Sequence, residues 1–459
     1  MSLRVAFVSG NREQLPDPVI PLGLLSLAAN TPSQHPRTLI DLCFEDAPEA
    51  ALGDALEAFA PDVVALGMRN IQAADYSGIA PTVEYYAGLI QTIRRHGDAA
   101  VVLGGSGFSV MPGALMERLQ PDFGIAGEAE AAFPALLAAL EAGGDPLGVA
   151  GLWRLANGTL ERSSAKTSFL DLNQLAPPDR HLADSRYYTE VGIEGIQTKR
   201  GCPLRCEYCT YPTIEGRVGR LRDPVRVADE WEKLAANAPN LHHIFIVDSV
   251  FNLPTRHARE VCDAVAQREI GIPWTCYINP LGFDEALAEA MARAGCAGME
   301  VGADSGSDQQ LTALRKGFTT DAIRTLSRTA KATGLLDCHT FLLGTPGESF
   351  DDVLRTLEFV ADLDPFGAIL MVWVDDAEAL DPELARQRQA LREKVLLFLE
   401  DHRDDYPWWA IPSLGVNYHP DLFSTLRAEG LHGPLWQHLR GPAATRLRER
   451  RRLRTQASA

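Results

Sequence analysis

Two successive runs of strand and helix alternation constrain the fold of this chain more than any other feature. In each run, short stretches rich in β-branched residues alternate with longer segments of helical apolar periodicity. Such alternation is typical of parallel strands joined by right-handed helical crossovers. The sequence therefore predicts an α/β protein with two parallel sheets, and its 459 residues suit two large domains with an appendage.

The first run, residues 1–145, predicts a Rossmann-like domain. Its predicted strands are residues 4–9, 38–42, 62–66, 100–103 and 123–126. Its predicted helices are residues 22–30, 49–59, 82–95, 112–119 and 129–141. Prolines at positions 61 and 121 mark turns from helix to strand, which supports this division.

The remainder of the chain divides into three further parts. Polar turn signals break up residues 146–188, which we interpret as an ordered linker. Residues 189–375 predict a partial (β/α)6 barrel with strands at 193–198, 243–247, 274–278, 298–302, 339–343 and 368–374. Residues 376–459 predict a small, mostly helical cap that contacts the substrate, with a long helix at 382–401, an aromatic-rich stretch and a basic tail.

Three cysteines stand directly after the first strand of the second run. Cys202, Cys206 and Cys209 have C-x3-C-x2-C spacing in a loop that contains glycine and proline, and such a loop can wrap a compact metal centre. A closed zinc site needs four protein ligands, and no second pair of cysteines or histidines lies nearby at finger spacing. A [4Fe-4S] cluster with one open iron explains three ligands better, while a zinc or purely structural role remains the alternative.

This spacing, with an aromatic residue before the third cysteine, resembles the signature of the radical S-adenosylmethionine (SAM) superfamily. Segments 302–319 and 341–349 continue the resemblance at successive predicted strand ends. The resemblance implies that the open iron binds SAM and that an added electron cleaves it to a deoxyadenosyl radical. The residues that it implies around the SAM molecule are Tyr208, Asp304, Ser305, Gly344 and Glu348.

A Rossmann-like domain in front of such a barrel resembles the cobalamin-dependent radical SAM enzymes, over residues 1–375. Gly104, Gly105 and Gly107 follow a predicted strand, where bare backbone would let the cobalamin nucleotide tail come close. The D-x-H-x-x-G signature, whose histidine ligates cobalt in many cobalamin domains, is absent. The only histidines of the domain, His35 and His96, do not stand in that frame.

The missing histidine leaves the lower face of cobalt to other residues. The resemblance permits Met68, Arg69 or Asn70 at that face. Arg69 is a cation and cannot coordinate cobalt, so it would exclude a lower ligand and ease methyl release. The alternatives are an arginine that makes a hydrogen bond at a strand end and a domain that has lost cobalamin.

The resemblance therefore predicts a cobalamin-dependent radical SAM enzyme, a C-methyltransferase that uses methylcobalamin and a [4Fe-4S] cluster on a small molecule or peptide. One alternative is a radical rearrangement or cyclisation without net methylation. Another is polar methyl transfer of the tryptophan 2-C-methyltransferase type. A non-catalytic, cluster-bearing scaffold is a third, although an iron left open for a ligand disfavours it.

Charge and hydropathy limit the partners and the location. The chain has 61 acidic and 43 basic residues, a net charge of −18, which would repel a nucleic acid over most of the surface. We find neither a basic-then-apolar leader nor an apolar run of about 18 residues, so we expect no membrane association and a cytoplasmic location. An electron donor such as ferredoxin or flavodoxin completes the predicted partners.

Overall fold

The computed structural model describes residues 2–72, 79–156, 158–165, 169–375, 380–405, 408–446 and 448–449. Its strands are β1 (Val5–Ser9), β2 (Arg37–Asp41), β3 (Val63–Gly67), β4 (Ala100–Gly104), β5 (Phe123–Ile125), β6 (Leu152–Ala156), β7 (Thr159–Arg162), β8 (Ile193–Ile196), β9 (Lys199–Arg200), β10 (Arg220–Leu221), β11 (His243–Ile246), β12 (Trp274–Ile278), β13 (Cys296–Asp304), β14 (Leu336–Leu343), β15 (Gly367–Val372) and β16 (Trp409–Ala410).

The α-helices occupy most of the chain between the strands. They are α1 (Leu22–Ala29), α2 (Pro48–Phe59), α3 (Ala80–Arg95), α4 (Ser106–Val110), α5 (Pro112–Leu119), α6 (Ala132–Glu141), α7 (Tyr211–Glu215), α8 (Pro224–Asn237), α9 (Thr255–Ala266), α10 (Glu285–Arg293), α11 (Asp308–Ala313), α12 (Thr320–Thr333), α13 (Phe350–Leu363), α14 (Pro382–Asp401) and α15 (Pro420–Ala428).

The first sheet has the order β2-β1-β3-β4-β5-β6-β7. Strands β1 to β5 are parallel, and every residue of β1 is buried because helices cover both faces of the sheet. Two antiparallel strands, β6 and β7, extend the sheet from within residues 146–188, the segment interpreted as a linker. Because β1 pairs with both β2 and β3, the carboxyl ends of β1 and β3 form a crevice of the kind that binds ligands.

The second sheet is parallel throughout and has the order β8-β11-β12-β13-β14-β15-β16. Six of these strands are those that the sequence predicts for a partial barrel, and the predicted fold class is confirmed. The seventh, β16, comes from the C-terminal region. A short antiparallel pair, β9 and β10, stands beside the barrel and leads into the cysteine loop.

Local sequence explains where the barrel helices begin. Ser349 and Asp352 form a capping box at the start of α13, in which each side chain pairs with the other residue's backbone N–H. Asp381 accepts hydrogen bonds from two backbone N–H groups at the start of α14, and Pro382 follows as the first helical residue. No helix in the described ranges has the combination of length and apolar composition that crossing a membrane requires.

Candidate functional site

The three cysteines lie in the loop between β9 and α7. Cys202 is buried, while Cys206 and Cys209 are half-buried. The backbone N–H of Cys202 donates to Gly216 O at 3.1 Å, and that of Cys209 donates to Cys206 O at 3.2 Å. Gly201 has φ +91°, and a Cβ there would lie 2.3 Å from Val218 O, so only glycine fits. The backbone therefore holds the loop without help from the thiols.

Burial raises the pKa of the Cys206 and Cys209 thiols, and the charges of the neighbouring cysteines raise it further. Among the described residues, no three metal-binding side chains converge on one ion. A cubane cluster takes one thiolate per iron, so its ligands need not converge on a point. The arrangement fits a cluster better than a zinc ion.

Asp304 lies at the end of β13 and forms a buried ion pair. Its Oδ2 is 2.6 Å from Lys316 Nζ, and both side chains are about 95% buried. Tyr208 Oη donates a hydrogen bond to the same oxygen at 2.5 Å, which links the cysteine loop to β13. Asp304 adopts the left-handed backbone conformation, with φ +65°. The structure thus brings together the predicted residues Tyr208 and Asp304 and adds Lys316.

Ser305 is fully buried and makes contacts within the protein. Its hydroxyl lies 3.3 Å from Thr356 Oγ1 and accepts a hydrogen bond from Ser307 N at 3.1 Å. These contacts fix the turn after β13. The hydroxyl of Ser305 is therefore engaged within the protein, and a contact with SAM stays a prediction.

The segment after β14 contains the other two predicted residues, Gly344 and Glu348. One oxygen of Glu348 accepts hydrogen bonds from Thr345 N at 2.7 Å and Thr345 Oγ1 at 2.9 Å. The other, Oε1, is buried and has no partner among the described residues. Burial raises the pKa of Glu348, so an added hydrogen-bond donor would stabilise the carboxylate.

Arg388 of α14 holds this segment in place, although no sequence pattern predicted it. Its Nη1 donates to Thr345 O at 3.0 Å, its Nη2 donates to Gly344 O, and its Nε is 2.8 Å from an oxygen of Asp375. Thr345 and Gly344 are 43 and 44 residues away in sequence, and an arginine on a polar helix gives no signal of these contacts.

A cavity of about 420 Å³ lies at the carboxyl ends of β1, β3 and β4. Ser9, Gly67 and Gly104 line it from the first sheet, and Arg200 and Glu215 from the segments that flank the cysteine loop. Gln197 and Val247, which directly follow β8 and β11, also line it, so the ends of both sheets border one space at the crevice that the strand order of the first sheet creates.

The predicted glycines have different positions around this cavity. Gly104 lines it, and no atom within 3.4 Å would meet a Cβ there. Gly105 also lines it, but its φ is +102° and a Cβ would lie 2.5 Å from Met68 O. Gly107 packs against Met68 and Asn70. Two of the three glycines are therefore needed for packing of the protein chain itself.

The residues predicted near the cobalt differ in how far they are buried. Met68 is fully buried and lines the cavity with its neighbour Arg69, whereas Arg69 and Asn70 are exposed. The positive charge of Arg69 opposes the rise in the pKa of Tyr211, which burial causes. His35 hydrogen-bonds to the backbone of Leu3, and neither His35 nor His96 lines the cavity.

Ion pairs join the antiparallel pair β9 and β10 to the segment after β5 of the first sheet, beside the cavity. Arg200 Nη2 lies 2.6 Å from Glu130 Oε1, and Arg220 pairs with Glu128. Burial raises the pKa of Glu130, but the charge and hydrogen bond of Arg200 outweigh this and leave the pKa below its usual value. Sequence analysis did not find these pairs. The only signal was two glutamates in a segment that also carried the family resemblance.

Comparisons with known proteins agree with this geometry. The model of the radical SAM superfamily matches residues 196–360. An uncharacterized methyltransferase of Pyrococcus horikoshii is 28% identical over 347 residues, which cover 75% of this chain and 73% of the relative. Tryptophan 2-C-methyltransferase of Streptomyces laurentii is 28% identical over 420 residues, which cover 77% and 70%.

A solved structure extends the similarity to the first sheet. The radical SAM methyltransferase TsrM from Kitasatospora setae, with cobalamin and a [4Fe-4S] cluster bound, is 26% identical with a TM-score of 0.71. The match covers 81% of this chain and 72% of TsrM.

The chain contains a radical SAM domain and is similar to a cobalamin-binding radical SAM methyltransferase over most of its length.

These similarities support the predicted enzyme class, a methyltransferase, and the predicted cofactors, a [4Fe-4S] cluster, SAM and cobalamin. A small-molecule substrate agrees with the relatives. Asp248 and Asn252, in the segment after β11, make hydrogen bonds within the protein. Asp248 accepts a hydrogen bond from Thr198 N at 2.7 Å, and Asn252 donates to Asn279 O at 2.8 Å.

Proposed function

We propose that this protein transfers a methyl group from SAM, by way of cobalamin, to a carbon atom of a small molecule. The observation that carries the proposal is the shared cavity. The two sheets both line it, and Arg200 and Glu215 of its wall flank the cysteine loop. A corrinoid in this cavity would therefore lie beside the SAM site.

The residues present fit the cofactors. When bound, cobalamin supplies a methyl carrier, and the cluster supplies a site and an electron for SAM. Cys202, Cys206 and Cys209 would hold the cluster. The unpartnered Glu348 Oε1 can accept a hydrogen bond from the nucleoside. Tyr208 would line the SAM site with Asp304 and Gly344, while Gly104, Gly105 and Met68 would line the corrinoid site.

Arg69 favours a second candidate, polar methyl transfer without a substrate radical. It is exposed at the cavity, and Met68 beside it is buried. A guanidinium at the lower corrinoid face cannot coordinate cobalt, because it has no free electron pair to donate at neutral pH. It would also exclude water from that face. Weakly ligated cobalt releases a methyl group more easily, which suits a polar route.

Further parts of the proposal concern organisation and partners. We propose a cobalamin-binding domain at 1–145, a linker at 146–188, a barrel at 189–375 and a substrate-contacting region at 376–459. Ferredoxin or flavodoxin would supply electrons, and the cytoplasm would supply reducing conditions. The net charge of −18 supports a substrate other than nucleic acid.

Product analysis tests the proposal and separates its alternatives. The anaerobic, reconstituted protein is incubated with SAM and a reductant, and the nucleoside products are quantified. Methyl transfer predicts S-adenosylhomocysteine, whereas rearrangement predicts deoxyadenosine alone. The polar route predicts S-adenosylhomocysteine without deoxyadenosine. Neither product from protein with an intact cluster would contradict an enzymatic role.

A further inference from the structure

The inner face of the second sheet borders an accessible space, which we call the lumen. Along β12 and β13, alternate residues such as Cys276, Ile278, Met299 and Val301 face the helices and are buried. The residues between them face the other way. Side chains on this inner face that keep accessible surface include Phe245, Tyr277, Glu300, Leu342, Ile369 and Met371.

Tyr277 shows that the lumen is open. It lies on β12, a strand paired on both sides, and yet its side chain is 38% exposed. Because the outer face of β12 is packed against helices, the exposed surface of Tyr277 faces the lumen. Its ring meets Phe245 edge-to-face at 5.1 Å, so the two rings form an aromatic wall.

Glu300 stands directly beside Tyr277, as its paired residue on β13. The negative charge of Glu300 is the largest cause that raises the pKa of Tyr277, and burial adds to it. The carboxylate and the phenol are therefore close in space as well as in register.

Trp436 closes the end of the lumen beside Glu300, which we call its base. Trp436 is 3% exposed, and its Nε1 donates a hydrogen bond to Glu300 Oε1 at 3.0 Å. Among the described residues no cation lowers the pKa of Glu300, and only the hydrogen bond from Trp436 does so. Burial raises the pKa of this carboxyl group, and a cation beside it would reverse that rise. Glu300 is therefore a single acceptor without a countercharge, among apolar and aromatic groups.

The charge of Arg69, which lines the proposed corrinoid site, reaches the lumen. The positive charge of Arg69 acts on Tyr277 and opposes the rise in its pKa. A molecule held in the lumen would therefore lie between Glu300 at the base and the cavity that Arg69 lines.

We infer that the lumen binds a methyl acceptor with a protonated amine on an apolar or aromatic body, and that Glu300 holds the amine. This inference rests on the proposed methyl transfer and names its substrate class. The ammonium group would meet the carboxylate of Glu300 and the ring faces of Tyr277 and Phe245, which both favour a cation. Substrates with a carboxylate at this end would be repelled.

Binding of two matched probes to the holoprotein tests the inference. The probes are 2-phenylethylamine and 2-phenylethanol, which have nearly the same size and differ in charge. Dissociation constants are measured anaerobically by calorimetry. We expect the amine to bind more tightly than the alcohol, by roughly ten- to a hundredfold, as a charge-assisted hydrogen bond provides. Glu300→Gln should abolish this preference.

Two further variants control for folding and for unspecific charge effects. Glu300→Asp retains the charge and should restore part of the preference for the amine. Glu289→Gln removes an exposed carboxylate from α10 and should leave the preference intact. Thermal midpoints and retained corrinoid check that each variant is folded.

Three results would overturn the inference. They are equal affinity for the two probes, a preference that persists in Glu300→Gln, and failure of the amine to bind the wild-type holoprotein. The proposed function is judged separately, by S-adenosylhomocysteine formation in the wild-type protein without an acceptor. If that product fails to form, the methyl transfer proposal fails, while the binding result still decides the role of Glu300.

Discussion

At the scale of single residues, the candidate site depends on buried charges that are paired within the fold. Lys316 and Asp304 are both about 95% buried and 2.6 Å apart. Such a pair contributes little net stability compared with apolar residues, but loss of one partner leaves an uncompensated charge. The pair therefore fixes Asp304 at its place beside Tyr208.

We expect Lys316→Met to destabilise the protein by about 3–5 kcal/mol, because the Asp304 carboxylate stays buried without its cation. Unfolding in denaturant, followed by circular dichroism, measures this loss. The double variant Lys316→Met with Asp304→Asn should recover most of it, since asparagine also tolerates a positive φ. If the double variant is less stable than the single one, the two charges do not compensate each other.

The sequence alone could predict the roles of some residues of the candidate site but not of others. The cluster cysteines are predictable because their spacing within one loop carries the chemistry. Lys316 and Glu300 are not, because their roles depend on neighbours contributed by other strands and loops. Ser305 was expected near SAM, but its hydroxyl points to Thr356 of α13, a helix that begins 45 residues later.

At the scale of elements, long periodic segments were predicted well and short ones were missed. The helix expected at 382–401 is α14 with the same bounds. The missed elements include α4 and α7, with five residues each, and the strands β6, β7, β9, β10 and β16. Short elements are stabilised by the partners that they pair with, so local sequence carries little signal of them.

Helix α14 supplies a prediction about SAM binding. Arg388 joins α14 to Gly344 and Thr345, and its loss should free the segment after β14. We expect Arg388→Gln to raise the KM for SAM by about tenfold, since hydrogen bonds to a charged group contribute 1.5–3 kcal/mol. Arg386→Gln, an exposed position on the same helix, is the control. Equal KM values for the two variants would refute a positioning role for Arg388.

Histidines at β11 and in the C-terminal region lie close together, and they make the free energy of unfolding sensitive to acid. His243 Nε2 lies 2.8 Å from Thr275 Oγ1, His438 acts on it electrostatically, and His432 stacks on His242 at 3.9 Å. Burial lowers the pKa of His243 from 6.5 to about 3, and His438 adds to the effect. The folded protein therefore keeps this ring neutral where an unfolded chain would protonate it.

We expect the free energy of unfolding to fall as the pH drops from about 6.5 toward 3, by about 1.4 kcal/mol per pH unit for this proton. The direction follows because the unfolded state binds the extra proton in that window. Thermal midpoints measured across the window should vary less in His243→Gln. His181→Gln, at an exposed position, should behave as the wild type. An unchanged pH dependence in His243→Gln would contradict the assignment.

At the scale of the whole molecule, the strand order of the first sheet decides where the cavity lies. The first sheet reverses its strand order at β1 and β3, and the resulting crevice faces the segments that flank the cysteine loop. Arg200 of β9 and Arg220 of β10 join the cysteine-loop region to the first sheet through ion pairs beside this crevice. The sequence predicted both sheets, but not how they meet, because no local pattern encodes the pairs between them.

Retention of cobalamin tests the central claim most directly. The protein is purified anaerobically, analysed for iron and sulfide, mixed with hydroxocobalamin and freed of unbound corrinoid. Its absorbance spectrum is then recorded. We expect a cluster together with near-stoichiometric corrinoid. A cluster without corrinoid would contradict cobalamin-dependent methyl transfer and leave a radical SAM enzyme whose first domain has lost its cofactor.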